Sequence, residues 1–450
     1  MDCSDFMEET PMMNSFLISN SIVNQLNRNF ANMALHMRRV AMGQRITCVA
    51  DDPSGWAIGT RMSVEIRGLN QALSNTQRSQ SMMKVADGGV SSTLDILRTL
   101  KEKAIDAAND TNTDADRQTI QKLFDQYADQ IDDNAYITYN GKYLLDGSHQ
   151  GASQLSQQAY TNQSLSTDTK ADTKLTDLLR RDGNQLGIQE GDTIGFSFVK
   201  DGKTYTASLA AKDATLKDIF AAANTAAGKA GIGDVFDVDH MGYTNVIGTD
   251  GQGTEVHTAS EQNAVTIKAK DAGTDGSIAG FAFSVQHANG QVDKGATNVL
   301  NSFTETIQAT DQRGDNLLTT QTGTRANQNI RMALGDMRST ALGLRGRDGS
   351  VINVSTREGA NAAISVLDNA IAKVLDQSTT IGAYSSRMDY TASNLTTQST
   401  NVQAAMSTIM DADLAREMTE YAKANILSQA AMAMLAQSNQ NAGWFLKLLG

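Results

Sequence analysis

Two long stretches, one toward each end of the chain, repeat apolar residues at alternating steps of four and three. Nothing else in the sequence limits the fold as much. Between residues 56 and 106 the repeat runs through Met62, Ile66, Leu69, Leu73, Met83, Val90, Leu94, Leu97 and Ala104, with Thr76, Gln80, Asp87 and Lys101 at other steps. Such spacing keeps one seam of an α-helix turned toward a partner helix, as in a coiled coil. Asp51-Asp52-Pro53 suits the start of this helix: an acidic cap, then a proline in the first turn, where its missing N–H is harmless. Gly88-Gly89 is expected to kink it.

A similar seam occupies the last hundred residues. Ala360, Ile364, Leu367, Ile371, Val374, Ile381, Tyr384, Met388, Leu395, Val402, Ala405 and Ile409 follow it for roughly fourteen helical turns. A second N-terminal helix is expected around 107–135, with Ile120, Leu123, Tyr127 and Ile131 on one face. Only two prolines occur in 450 residues, so little interrupts these helices. The expected fold class is mainly α: long antiparallel, coiled-coil-like helices from both chain ends plus a β-hairpin, with an inserted β-rich (α+β) outer domain. On these residues alone, a long-helix bundle without special function remains an equal reading.

The extreme C-terminus does not suit a monomer. Ile426, Leu427, Ala430, Ala431, Met432, Ala433, Met434 and Leu435 cover most of a helix circumference, and Trp444, Phe445, Leu446, Leu448 and Leu449 follow. A helix apolar on all sides must be buried in something. This one is too short and interrupted to span a bilayer. Self-assembly is the simplest answer. The residues expected to carry it are Ile66, Leu69, Leu73, Leu94, Leu97, Tyr384, Met388, Leu395, Ile426, Leu427, Met432, Leu435, Trp444 and Leu448.

The middle, roughly 150–310, has another texture. Residues 194–199 and 205–209 read as strands joined by the turn Lys200-Asp201-Gly202, and 215–227 as a short helix. Further strands are expected at 264–269 and 278–285, and a hairpin from 317–323 and 329–334 returns the chain to the helical part. The expected divisions are 1–13 (an atypical extension), 14–50, 51–150, 151–312 (the insert), 313–410 and 411–450.

Chemistry is hard to find. A formal charge of −12 opposes a nucleic-acid partner. Cys3 and Cys48 cannot build a disulfide framework. No secretory signal peptide and no membrane-spanning run is legible, so the chain is either cytoplasmic or exported by a route that reads no cleavable signal. His36, His149, His240, His257 and His287 are scattered, and no phosphate loop, nucleophile elbow or paired-Cys motif accompanies them. Asp234, Asp237 and Asp239 before His240 read as a solvated acidic turn rather than a calcium loop, and Asp411/Asp413 as helix-start charge. No enzyme activity, cofactor or metal is expected.

At both ends the residues resemble the bacterial flagellin family. The N-terminal match comprises Gln44-Arg45-Ile46, Ala50-Asp51-Asp52-Pro53-Ser54-Gly55, Ile66-Arg67-Gly68-Leu69-Asn70-Gln71-Ala72, the stretch 107–117 and Tyr139-Asn140-Gly141-Lys142-Tyr143-Leu144-Leu145-Asp146-Gly147. The C-terminal match comprises Gly335-Asp336-Met337-Arg338, the stretch 354–363, Asp411-Ala412-Asp413, Asn425-Ile426-Leu427-Ser428-Gln429-Ala430 and the stretch 434–440. It covers roughly residues 14–148 and 317–450. Residues 171–227 are also similar to a strand-strand-helix module of some flagellins and hook-associated proteins.

The resemblance implies a non-enzymatic subunit exported unfolded without a cleaved signal and polymerised into the extracellular filament. It implies a homopolymer as the main partner, an export chaperone on the C-terminal segment, and hook-associated and cap proteins. No nucleic acid or membrane partner is implied. Residues 1–12 have no counterpart in the usual short flagellin N-terminus; a start at Met12 or Met13 is expected, the alternative being an acidic extension. Many flagellins are recognised by an animal innate immune receptor through an Arg, a Leu and a Glu. Thr99, Lys103 and Leu123 stand at those positions here, with Arg98 adjacent, so weak recognition is expected. The alternative is a hook–filament junction protein, which shares the terminal helices but usually matches the C-terminal tail poorly. A metal-peptidase insert, found in some relatives, is opposed by the missing metal-binding helix.

Overall fold

The computed structural model describes the backbone of residues 5–259 and 261–449, and side chains within 17–259 and 261–441. Helices α1 (Asp5–Met42), α2 (Pro53–Ala107) and α3 (Asp114–Ala135) open the chain. A small hairpin of β1 (Thr138–Tyr139) and β2 (Lys142–Tyr143) leads to an insert made of β3 (Ala159–Asn162), β4 (Thr193–Lys200), β5 (Lys203–Ala210), α4 (Leu216–Lys229), β6 (Phe236–Thr244), β7 (Val246–Thr249), β8 (Glu255–His257), β9 (Ala264–Ala269), β10 (Gly280–Gln286), α5 (Lys294–Leu300) and β11 (Phe303–Ile307). The hairpin β12 (Leu318–Gln321) and β13 (Asn329–Met332) precedes α6 (Arg357–Met410) and α7 (Leu414–Leu449). Long terminal helices around small antiparallel sheets are the fold class expected from the sequence.

The chain divides into two compact units. One contains residues up to Asn75, Thr322–Gln328 and residues from Thr391 onward; the other contains Thr76–Gln321 and Asn329–Tyr390. In the second unit the expected seam is buried at every seventh residue. On α2 these are Thr76, Met83, Val90, Leu97 and Ala104; on α6 they are Leu367, Val374, Ile381 and Met388. This is the heptad spacing that two helices need to keep their apolar stripes in contact. Lys101 pairs with Asp368 and Gln80 donates to Asp389 at 2.6 Å, so the two helices run antiparallel.

Helix α2 continues through Gly88-Gly89. What Gly89 supplies is space: a Cβ there would lie 2.9 Å from Ile137 and 3.0 Å from Leu145, whereas one on Gly88 would meet nothing. Helix α3 starts at Asp114 rather than near 107. The Thr113 hydroxyl accepts from the Asp116 N–H while Asp116 accepts from the Thr113 N–H, a reciprocal cap. Buried Arg117 donates Nε to the Ala107 carbonyl (2.9 Å) and Nη2 to the Asn109 carbonyl (3.1 Å), satisfying acceptors left over at the end of α2. The face of α3 is also rotated from expectation. Phe124 and Ala128 join Ile131 in the core, while Ile120, Leu123 and Tyr127 are half-buried beside it.

In the insert, β10-β4-β5 form one sheet and β11-β3-β9-β6 another, both antiparallel. The β4–β5 turn is Asp201-Gly202, with φ of 49° and 71°, the doubly left-handed turn that matches strand twist. Its core is aromatic: the rings of Phe220, Phe236, Phe281 and Phe283 lie 4.7–5.7 Å from that of Phe196. The acidic turn expected around Asp234–His240 is corrected. Asp237 and Asp239 belong to strand β6, and Asp237 is buried, accepting from the His240 Nδ1 side at 3.0 Å. Strand β3 escaped sequence reading because all four of its residues are buried, leaving no alternation to detect.

Leu97→Ala should destabilise its unit by about 2–5 kcal/mol in urea unfolding. Gly89→Ala should cost about 1–3 kcal/mol through overpacking, while Gly88→Ala should stabilise by about 0.5–1 kcal/mol. Equal effects at the two glycines would contradict the packing role given to Gly89.

Candidate assembly surface

The first unit is built around the place where both chain ends turn. Between α1 and α2 the Arg45 N–H donates to the Met410 carbonyl (2.7 Å) and its guanidinium to that of Ile409 (2.8 Å), capping the end of α6. The Ala412 N–H donates to the Gly43 carbonyl at 3.0 Å, and Ile46 is buried beneath. Asp51 accepts from the Thr47 N–H (2.9 Å), the Thr47 hydroxyl (2.8 Å) and the Cys48 N–H (3.2 Å), with Arg38 at 3.2 Å. These bonds, that from the Thr47 backbone foremost, hold its carboxyl at about 2, below the ordinary 3.8. Asp52 caps α2 through the N–H groups of Ser54 (3.1 Å) and Gly55 (3.0 Å). Gly59 faces Met410, whose Sδ would collide with any added Cβ. Asp413 caps α7 through the N–H groups of Ala415 (3.0 Å) and Arg416 (3.2 Å).

From this turn α1 and α7 lie against each other. Gln44 bridges Asp411, and further along Glu417 meets the His36 Nδ1 at 2.5 Å and Arg39 at 3.4 Å. Asn29, Ala424, Ser428 and Ala431 are buried along the pair. Other apolar residues of both helices stay open. Leu17, Ile18, Phe30 and Met37 are exposed on α1, as are Leu414, Met418, Ile426, Leu427, Met432 and Met434 on α7. Ile426 keeps 65% and Met434 62% of its surface in contact with solvent. The pairing of the two helices leaves these large apolar side chains uncovered, as an interaction surface does.

The residues expected to carry assembly fall into two groups. Leu94, Leu97, Tyr384 and Met388 pack in the helical core of the second unit, where the Tyr384 hydroxyl accepts from the Ala333 N–H at 3.3 Å. Leu69, Leu73 and Leu395 form a small cluster in the first unit with Ala72 and Val402, and Ile66 is half-buried. These side chains bury their area within the chain. Ile426, Leu427 and Met432 are exposed and Leu435 is half-buried. The side chains of Trp444 and Leu448 lie outside the described residues. Sequence reading missed the exposed residues of α1, although Leu17-Ile18 and Met37 carried the same signal as the C-terminal tail. It also missed the His36–Arg39–Glu417 contact, which joins residues nearly four hundred positions apart and leaves no local trace.

Residues 13–150 match the family model of the bacterial flagellin N-terminal helical region, and residues 364–449 that of the C-terminal helical region. A flagellin of Clostridium tyrobutyricum is 31% identical over 430 residues, which are 95% of this chain and 99% of that protein. Flagellin B of Vibrio anguillarum is 27% identical over 420 residues, 92% of this chain and 93% of that protein. Among solved structures, the flagellar junction protein FlgL of Legionella pneumophila aligns with a TM-score of 0.31 at 12% identity, over 79% of this chain and 100% of its own, too loosely to bear on the assignment. The chain is a structural, self-assembling protein and not an enzyme. It belongs to the bacterial flagellin family.

Because the folded pKa of Asp51 is depressed, its contribution to stability is present above 3.8 and lost as pH falls through about 2. Asp51→Ala should therefore speed amide exchange at Thr47 and Cys48 near neutral pH. The gap from wild type should close as the medium approaches pH 2. A gap that persists below that point would exclude the carboxylate as its cause.

Proposed function

We propose that this chain is the bulk subunit of an extracellular flagellar filament and that α1 and α7 supply its main intersubunit contacts. The supporting observation is the apolar surface left open on those two helices, Ile426 and Met434 above all. Neighbouring copies would cover it, and polymerisation would draw on the hydrophobic area so removed from water. In this reading residues 14–50 and 411–450 form the filament core, 51–150 and 313–410 the surrounding helical layer, and 151–312 the outward-facing part. The chain leaves the cell without a cleaved signal. An export chaperone covers the C-terminal segment beforehand, since Ile426, Leu427 and Met432 would otherwise invite premature association.

The alternative is a hook–filament junction protein. The near-full-length identity to a flagellin supports the filament reading. Purified protein seeded with sheared filament fragments should grow long filaments under the electron microscope; binding only at fragment ends would favour the junction reading. Removing residues 426–450 should abolish this growth while the unit containing α2, α3 and the insert keeps its circular dichroism signal. Normal filaments from the truncated chain would dismiss the assembly role of that segment.

Thr99, Lys103 and Leu123 are half-buried on α2 and α3, where receptor-recognised flagellins carry an Arg, a Leu and a Glu. Loss of the Arg and Glu charges removes charge-assisted bonds to a partner. A reporter-cell assay should give weak activation; full potency at concentrations typical of strongly recognised flagellins would refute this.

A further inference from the structure

Two apolar clusters in the second unit share no buried residue: one among α2, α3 and α6, the other inside the insert. They meet at a joint made of buried polar groups and close backbone contacts. Gln158, 1% exposed, donates its side-chain amide N–H groups to Glu305 Oε1 (2.6 Å) and to the Ile278 carbonyl (3.0 Å), and its side-chain Oε1 accepts from the Ile278 N–H (2.6 Å). The buried Tyr160 hydroxyl donates to the same Ile278 carbonyl at 2.7 Å. Burial and the neighbouring Glu305 push that hydroxyl well above its ordinary range, so it stays protonated as a donor.

Helix α6 completes the joint from the other side. Lys373 faces Glu305, whose side chain is 7% exposed, at 3.4 Å, and Asn369 Nδ2 donates to the Ala279 carbonyl at 3.0 Å. Gly280 lies so close to α6 that a Cβ would come within 2.9 Å of the Val366 nitrogen. Opposite it in the sheet, Val199 of β4 packs its side chain into the helical core. At the rim, the Asp201-Gly202 turn rests on Gly346 and Ser350, and Lys203 pairs with Asp348 at 2.6 Å.

We propose that this joint is a rigid coupling, centred on Glu305, Lys373 and Gly280, that makes the β-rich insert and the helical core move and unfold as one body. Each side has its own apolar cluster, so each could hold its fold while the orientation between them wandered. A carboxylate buried against a lysine tolerates little displacement, because separation strands a charge in a low-dielectric site. Close backbone approach at Gly280 removes the remaining freedom to slide. The surface that the insert presents is thereby held in fixed orientation to the seam helices.

Hydrogen exchange read by mass spectrometry across a temperature series, on the full chain, tests this. In the wild type, peptides from β9 and from the α2–α6 seam should lose protection together. Lys373→Met strands the Glu305 carboxylate, and Gly280→Ala drives a methyl against the backbone of α6. Each should speed exchange in β9 by roughly tenfold or more while the seam stays protected. Wild-type co-protection in both variants would overturn the proposal, since the joint would then not be what couples the two parts. Equal loss of protection in seam and β9 in both variants would overturn it too, because the substitutions would then have damaged the helical core itself.

Discussion

Antiparallel packing of α2 against α6 is the constraint on which the rest depends. Burial at every seventh position from Thr76 to Ala104, answered by Leu367 to Met388, fixes which faces of the two helices meet. Once that seam is set, α3 can settle on its flank, and Gly89 allows the segment around Ile137 and Leu145 to approach α2. The insert then has one face of α6 to dock against. The cap at Asp52 and the reach of Arg45 to the end of α6 tie the starting point of one seam helix to the finishing point of the other.

Apolar and polar contacts divide the work in a consistent way. Within each compact region, burial of aliphatic and aromatic side chains supplies the favourable area. Where regions of the second unit join, specific orientation comes from buried hydrogen bonds and ion pairs, as at Gln158, Glu305 and Lys373. The terminal helices follow a different rule. Their mutual contact is polar at Glu417 and lined by small residues at Ala424 and Ala431, and large apolar residues such as Ile426 and Met434 stay open. A protein that must assemble with its own copies has reason to leave that area unsatisfied in the single chain.

Much of the fold was legible because helical periodicity is a local property. The seam residues, the start of α2 at Pro53, the Asp201-Gly202 hairpin and the helix at Thr215 all follow from spacing, caps and turn chemistry within a few residues. The insert was read less well. Strand β3, buried on both faces, shows no alternation, and β6 was hidden by an acidic composition that suggested a turn. Asp237 can be buried within β6 because His240 meets its carboxylate, a contact visible only once the backbone is folded.

The sequence by itself determined that long helices form at both ends, that they carry seams for one another, and that the extreme C-terminus has more apolar surface than one chain can cover. Those properties depend on residue order over a few turns. Only the tertiary structure decided which apolar residues are already satisfied within the chain, Leu97 and Met388 among them, and which remain open, such as Ile426 and Met434. The same holds for the pairing of Glu417 with His36 and of Glu305 with Lys373. Burial and charge pairing depend on partners far away in sequence, and spacing along the chain carries no information about them.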